Sequence, residues 1–114
     1  MELKSAFAAA LRDLRNLRGL TQEDFALVSS RTNVSLLERG KTIPTLEKLE
    51  QLCTVLEFHP LSVMAICYSL KDELSVDALL GLVVLEMEQL DSLLSDRDSI
   101  VEAGTVTDGE SNSK

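Results

Sequence analysis

The 114-residue sequence predicts an all-α protein: a five-helix domain, then one longer C-terminal helix and a disordered acidic tail. Three observations predict this class. Helix-forming Leu, Ala and Glu are abundant, while aromatic residues make up only 4% of the chain and prolines number two. Apolar residues recur every three or four positions, which is the spacing of one helix face. Glycine, serine or threonine stands where these periodic segments end and begin, as helix caps do.

The first helix is predicted near residues 2–18. Gly19 follows it and can end the helix in the left-handed conformation, which glycine adopts without strain. The apolar residues of the inner face recur at helical spacing: Leu3, Phe7, Leu11, Leu14 and Leu17. This spacing gives the helix one face for a core and one face for solvent.

Two shorter helices follow across a tight turn. Thr21 can cap a helix over residues 21–28, because its hydroxyl can accept a hydrogen bond from the amide three residues later. The candidates for burial on this helix are Phe25, Ala26 and Val28. A serine pair at positions 29 and 30 then indicates a turn and a new cap. A third helix is predicted over about 31–39 and ends at Gly40.

The second half of the chain contains three further helices in this interpretation. Thr45 can cap a fourth helix ending near residue 56, and Pro60 suits the first position of a fifth, where no amide is needed. Their expected core residues are Leu46, Leu49, Leu52, Cys53, Leu56, Leu61, Met64, Ala65 and Tyr68. After a break at 71–74, Ser75 caps a longer helix to about residue 94. From Gly104 the composition becomes rich in Gly, Ser, Thr, Asp and Glu, which predicts a disordered tail.

The charge of the chain is unevenly distributed. The formal net charge is -8 overall. Residues 1–45, however, carry seven Lys/Arg against five Asp/Glu, whereas residues 46–114 carry four against fourteen. The positive charge is therefore concentrated in the N-terminal part, where a surface that faces nucleic acid would lie.

The sequence argues against an enzyme, a metal protein or a membrane protein. Cys53 and Cys67 are far apart in apolar segments, and His59 is the only histidine, so no closely spaced ligand set is visible. Buried structural thiols in a reducing cytoplasm are the favoured interpretation. No base, nucleophile and orienting partner group together. No apolar run approaches the roughly 18 residues of a membrane span. We expect a cytoplasmic protein without cofactor or metal.

The segment most informative about function begins at residue 20. It reads Leu-Thr-Gln-Glu-Asp-Phe-Ala over 20–26, then Leu-Glu-Arg-Gly-Lys over 37–41 and Pro-Thr-Leu over 44–46. Leu-Arg-Asp-Leu-Arg precedes it over 11–15. In this order and spacing, the segments resemble the XRE family, the Cro/C1-type helix-turn-helix transcriptional regulators. The resemblance covers residues 3 to about 69 and implies a protein that binds double-stranded DNA.

The predicted DNA contacts lie on the second and third helices. Two short helices joined by a turn can present the second of them to the major groove, which is roughly 12 Å wide. Val34 and Leu37, three residues apart, should face the core, so the opposite face remains for DNA. Arg31 is the strongest candidate for base reading, because its guanidinium can donate twice to guanine. The complete set is Gln22, Ser30, Arg31, Thr32, Asn33, Ser35, Leu36, Arg39 and Lys41.

Three members of this set are expected to contact the DNA backbone rather than bases. Gln22 opens the second helix, where the amides and the helix dipole attract a phosphate, and the family pattern also assigns this glutamine to the DNA backbone. Arg39 and Lys41 are interpreted as phosphate contacts that position the protein.

Two further features depend on the family resemblance. It implies an ion pair between Glu38 and Arg15. The interval from Gln22 to Ser30 is about two residues shorter than the family pattern, and Ser29 and Ser30 replace its usual turn glycine. Either the second helix is shorter than usual or the turn is tighter.

The C-terminal helix is predicted to be a dimerisation element. Its apolar residues alternate at four- and three-residue steps, as in a coiled-coil seam: Val76, Leu80, Val83, Met87, Leu90 and Leu94. A homodimer would place two reading helices on half-sites about 34 Å apart, although packing within the chain remains an alternative. The domains are therefore 1–70 for DNA binding, 71–101 for dimerisation and 102–114 as the tail. The alternative function is a protein-interaction module, such as the antitoxin of a toxin–antitoxin pair.

Overall fold

The all-α class predicted from the sequence is confirmed by the structure. A computed structural model describes the backbone of residues 1–104, and their side chains except those of 92, 94 and 96–104. The described residues form five α-helices and one 3₁₀-helix. In chain order these are α1 (Leu3–Leu17), the 3₁₀-helix η1 (Gln22–Phe25), α2 (Arg31–Glu38), α3 (Leu46–Leu56), α4 (Pro60–Asp72) and α5 (Val76–Gly104). The chain divides into two units, the first ending at Leu79 and the second beginning at Leu80.

A single apolar cluster forms the core of the first unit. α1 packs against both α4 and α2, and α3 packs against α4 and η1. Phe7, Leu11 and Leu14 of α1 are buried, as their helical spacing predicts. The cluster consists of Ala6, Phe7, Ala10, Leu11, Leu14, Phe25, Val34, Leu37, Leu49, Leu52, Cys53, Leu56, Val63 and Cys67. Since each buried Leu, Val or Phe side chain contributes roughly 1.5–3 kcal/mol, this cluster fixes the positions of η1 and α2.

Residues in the terminal turns of the helices depart from the predicted core. Leu17, Leu46 and Leu61 were expected to face inward, but all three are largely exposed. In α4, Val63 and Cys67 are buried instead. Positions two apart on a helix differ by roughly 200° in direction, so Leu61 must point outward once Val63 faces the core. The other expected contacts of α4 are partly buried: Met64, Ala65 and Tyr68.

The second helix is shorter than predicted. In place of a helix over 21–28, the structure has only η1, a single 3₁₀ turn. Phe25 is fully buried as expected, whereas Ala26 is exposed and Leu27 is completely exposed. Because Phe25 must reach the core while α2 begins only six residues later, the chain has room for one turn of helix. The shortened interval in the sequence is therefore explained by a shorter helix.

Capping residues set several of the helix boundaries. The hydroxyl oxygens of Ser30, Thr45 and Ser75 accept hydrogen bonds from the amides three residues later, at 3.0, 3.1 and 3.1 Å. Gly19 and Gly40 adopt φ of 70° and 71° after α1 and α2. These are the helix starts and stops that the sequence predicts.

The last two helices end later than predicted, α4 within the expected break at 71–74 and α5 about ten residues past its expected end near residue 94. α4 continues through Asp72, and α5 continues through Gly104. The first three residues of the predicted tail, 102–104, are therefore helical, and the rest of that tail lies outside the described residues. Within the described part of the chain, no single helix is both long and apolar enough to cross a bilayer. α3 and α4 meet that criterion only together, and they are bent by 105° at their junction.

Candidate nucleic-acid interface

α2 is fixed to the domain by its inner face. Val34 and Leu37 are buried in the core. At the end of the helix, Glu38 forms a two-pronged ion pair with Arg15 of α1: Nε lies 2.6 Å from Oε2, and Nη2 lies 3.0 Å from Oε1. Nη1 of Arg15 donates to the Leu20 carbonyl at 2.7 Å. The ion pair implied by the family resemblance is thus confirmed, and it sets the orientation of α2 on α1.

The side chains of the Arg15–Glu38 pair are largely shielded from solvent. The side chain of Glu38 is 4% exposed and that of Arg15 is 15% exposed. The hydrogen bonds to the Glu38 carboxylate raise the pKa of the Arg15 guanidinium above its usual value, although burial opposes this effect. The arginine therefore remains charged in the pair, as guanidinium groups in proteins do. Removing one partner of such a pair leaves a charge buried without compensation, which destabilises a fold by about 3–5 kcal/mol.

The structure places Gln22 next to the ion pair. Its side-chain Nε2 donates to Oε1 of Glu38 at 3.1 Å, and the residue is half-buried. A side-chain amide carries two N–H donors, so this contact leaves one for another acceptor. The expected contribution of a helix dipole is weaker than the sequence suggested, since η1 has only four residues over which peptide dipoles can align. Gln22 thus links the buried pair to the surface beside α2.

The first turn of α2 contains the exposed members of the predicted base-reading set. Arg31 and Thr32 are exposed. Asn33 is half-buried because its Nδ2 donates at 2.7 Å to the hydroxyl oxygen of the buried Ser29. The sequence did not predict this bond, which ties the turn to the helix behind the cap formed by Ser30. The side chain of Asn33 therefore has a structural partner, whereas Arg31 and Thr32 project into solvent.

Arg31 contacts one acidic side chain. Its Nη1 lies 3.4 Å from Oε2 of Glu23 in η1, and both side chains are well exposed. Exposed ion pairs of this kind contribute about 0–1 kcal/mol, so the contact can be replaced by a stronger one. Sequence reasoning missed Glu23. The signal that could have found it is the shortened interval, which brings η1 close to the start of α2.

The second half of α2 and the loop after it carry the remaining predicted contacts. Ser35 and Leu36 are half-buried, whereas Arg39 and Lys41 are exposed on either side of Gly40. Arg12 of α1, which is not among the predicted DNA contacts, donates from Nη1 to the Glu38 carbonyl at 3.3 Å. Its position three residues before Arg15, on the same face of α1, is the signal that could have identified it.

Two other basic residues missed by the sequence analysis stabilise the scaffold. Arg18 donates from Nε and Nη2 to the carbonyls of Leu56 and Glu57, both at 2.8 Å, and lies 4.2 Å from the centre of the Phe58 ring. These bonds satisfy carbonyls at the end of α3. Lys48 donates from Nζ to a backbone carbonyl in the turn before α2. Both basic side chains therefore donate hydrogen bonds within the domain.

The predicted dimerisation residues are exposed apolar side chains of α5. Val76 lies in the first unit, and Leu80, Val83, Met87 and Leu90 lie in the second. These five are between 38% and 50% exposed. The side chain of the sixth, Leu94, lies outside the described residues. Other exposed apolar residues of α5 flank or oppose this seam: Leu82, Val84, Leu85 and Leu93.

The cysteines are buried and unpaired by disulfide. Cys53 and Cys67 both lie in the core as free thiols. Burial raises the pKa of each thiol above its usual value, and Glu50 adds to the effect at Cys53. Within residues 1–104 where side chains are described, no group of three or more His, Cys, Asp or Glu is placed to hold a metal ion. The structure thus agrees with structural thiols in the core.

A short helix anchored by a buried ion pair, preceded by a turn and exposing a basic first turn, is the arrangement of a helix-turn-helix DNA-binding domain. The sequence model of the helix-turn-helix family matches residues 11–61. No protein of curated function matches the chain.

Two solved structures are similar to the chain. A crystal structure of the clp gene regulator ClgR from C. glutamicum is 30% identical, with a TM-score of 0.56, over 60% of this chain and 92% of that one. A second crystal structure of ClgR from Corynebacterium glutamicum is 26% identical, with a TM-score of 0.57, over 81% of this chain and 95% of that one. The chain belongs to the helix-turn-helix family of Cro/C1-type, or XRE, DNA-binding transcriptional regulators.

Proposed function

We propose that this protein is a cytoplasmic transcriptional regulator that binds a specific double-stranded DNA sequence as a homodimer and reads the major groove with α2. The observation that carries the proposal is the contrast between the two sides of α2. One side is fixed by Val34, Leu37 and the ion pair of Glu38, while Arg31 and Thr32 of the first turn face solvent. A rigid helix with a solvent-exposed arginine in its first turn is suited to reading base edges.

The dimensions of α2 match the groove. Eight residues at 1.5 Å per residue give a helix about 12 Å long, comparable to the roughly 12 Å width of the major groove. With its first turn over the bases, Arg31 would donate to O6 and N7 of a guanine, and Thr32 would meet a thymine methyl group or a base edge. Binding DNA would exchange the weak contact with Glu23 for this two-pronged one.

The other predicted residues would position the helix. Arg39 and Lys41 would contact backbone phosphates, and Gln22 would use its second amide N–H for a phosphate on the other side of α2. Ser30, Asn33, Ser35 and Leu36 lie at or near the same face, but three of these four are half-buried. Their contribution is therefore expected to be smaller than that of Arg31.

The homodimer is supported by α5. Apolar side chains at alternating four- and three-residue steps suit a seam between identical helices, and the five described seam residues leave much of their surface exposed. Each methylene that a partner helix covers contributes roughly 0.8 kcal/mol. A second copy of α5 is the occupant proposed, because an eight-residue reading helix contacts few base pairs and two-fold symmetry doubles the site.

Selection from a random-sequence duplex library tests the proposal and needs no candidate operator. The full-length protein is expected to enrich one motif with two related half-sites. Its affinity for that duplex should exceed its affinity for a scrambled duplex by at least about 10³-fold, and both affinities should fall as salt rises. Failure to enrich any motif, together with equal affinity for the two duplexes, would refute sequence-specific binding. A protein partner would then be the better explanation of the exposed face of α5.

A further inference from the structure

A concave basic surface lies at the C-terminal end of α2. It is an open groove of about 550 Å³ between α1 and the loop after α2. The residues that matter for its chemistry and shape are Ser5, Ala8, Ala9, Arg12, Arg39 and Lys41. We call this surface the α1–α2 groove. Ala8 and Ala9 are small, so the groove has depth between its cationic side chains.

Positive charge dominates the α1–α2 groove. Arg12, Arg39 and Lys41 line it, and all three are exposed. Glu38 also borders the groove, but its carboxylate is 4% exposed and is bound by Arg15 and Gln22. The charge of this carboxylate is therefore balanced by Arg15, and the groove cations remain available to a ligand. Three cations around one concavity match the chemistry of a phosphodiester anion.

Arg12 is held at the groove by the helix that would read DNA. Its Nη1 donates to the Glu38 carbonyl, the last carbonyl of α2, at 3.3 Å. An arginine has five N–H donors, so this bond leaves others for a ligand. The contact also fixes the position of Arg12 relative to α2. When α2 lies in the major groove, Arg12 would therefore be held at a constant distance from the bases that α2 reads.

We propose that the α1–α2 groove binds a backbone phosphate of the DNA and that Arg12 is a direct donor to it. This inference rests on the proposed function of α2. If the first turn of α2 lies over base edges, the other end of this helix, about 12 Å away, lies at the border of the major groove. A phosphate strand runs along that border. Arg12 thus adds a contact from α1 to the pair already expected from Arg39 and Lys41.

The salt dependence of DNA binding tests this assignment. Each phosphate neutralised by a cation adds about 0.9 to the magnitude of the slope of log K against log salt concentration. Affinity for the duplex enriched by selection is measured across a salt series for the wild type, Arg12→Gln and Arg12→Lys. Arg12→Gln should reduce the magnitude of the slope, by at most about one per bound protomer because Arg39 and Lys41 remain in the groove, and it should weaken binding to the enriched and scrambled duplexes equally. Arg12→Lys should restore most of the slope.

Two controls separate phosphate contact from a structural effect. Lys71→Gln removes a cation of α4 that does not line the groove, and its slope should equal that of the wild type. Ala9→Glu keeps the Arg12 side chain but adds a carboxylate to the groove three residues before it on α1, where the carboxylate would compete with a phosphate for the groove cations, so it should weaken binding at low salt. Thermal unfolding confirms that each variant is folded.

The outcomes distinguish this inference from the proposed function. If the wild type binds the enriched duplex but Arg12→Gln keeps the full slope, the groove inference is wrong and the proposed function stands. If Arg12→Gln does not fold, an Ala9→Glu variant that binds as tightly as the wild type overturns the inference. If the wild type itself shows no specific, salt-dependent binding, the proposed function and this inference fail together.

Discussion

Removing Arg15 should destabilise the protein more than any surface substitution, because it leaves a buried carboxylate. Arg15→Met takes away both guanidinium bonds to Glu38 and the bond to the Leu20 carbonyl. Glu38, 4% exposed, then keeps only the Gln22 amide as a donor. Breaking a buried pair destabilises by about 3–5 kcal/mol. Since Arg15 itself is 15% exposed, we expect the lower end of that range, about 3 kcal/mol.

Urea unfolding followed by circular dichroism measures this loss. With a typical slope of about 1–3 kcal/mol per molar urea, the midpoint should fall by roughly 1–3 M. The control is the double variant Arg15→Met, Glu38→Met, in which no buried charge remains and more than half of the stability should return. A loss below about 1 kcal/mol in the single variant would mean that the pair behaves like a surface pair. A double variant as unstable as the single one would show that the lone carboxylate is not the cause.

Three further outcomes follow from the structure. Arg31→Ala should weaken binding to the enriched duplex by about 1–3 kcal/mol without changing the unfolding midpoint, and an unchanged affinity would contradict its role. Met87→Glu should convert the dimer to a monomer in sedimentation, whereas Leu85→Glu, roughly 200° away on α5 and similarly exposed, should not. A dimer that survives the change at Met87 would count against the seam. Both cysteine thiols should react with a disulfide reagent near pH 8 only after unfolding, because burial raises their pKa and blocks access; fast reaction of the native protein would argue against this core.

The buried ion pair and the proposed reading surface share Gln22. Its amide bonds the same Glu38 oxygen as Arg15 does, so a phosphate contact from Gln22 would be coupled to the orientation of α2. In this arrangement α1, η1 and α2 meet at one carboxylate. A change at Arg15, Gln22 or Glu38 should therefore affect both stability and DNA binding. A change at Arg31 should affect DNA binding alone.

The sequence predicted the interiors of the helices and most of their caps. Apolar spacing identifies the buried face of a helix, which is why Phe7, Leu11, Val34 and Leu37 were placed correctly. Spacing alone does not show where a neighbouring helix stops covering that face. For this reason Leu61, in the first turn of α4, was wrongly assigned to the core.

Side-chain partners across the chain were harder to predict from local pattern. Two of these bonds, from Asn33 to Ser29 and from Gln22 to Glu38, lie where η1 replaces the longer helix that the sequence predicted. The ion pair of Arg15 and Glu38 was expected only because of the family resemblance. Spacing predicts that an arginine lies on a helix face, but tertiary packing decides what it contacts.

The central claim is that the first turn of α2 reads base edges, and comparing motifs selected by two proteins tests it most directly. The wild type and Arg31→Ala are each used to select from the same random duplex library, and the enriched motifs are sequenced. We predict two half-sites in the wild-type motif with centres about 10–10.5 base pairs apart or at a multiple of that spacing. Arg31→Ala should lose the preference for guanine at one position in each half-site and keep the others. Identical motifs from the two proteins would contradict the claim.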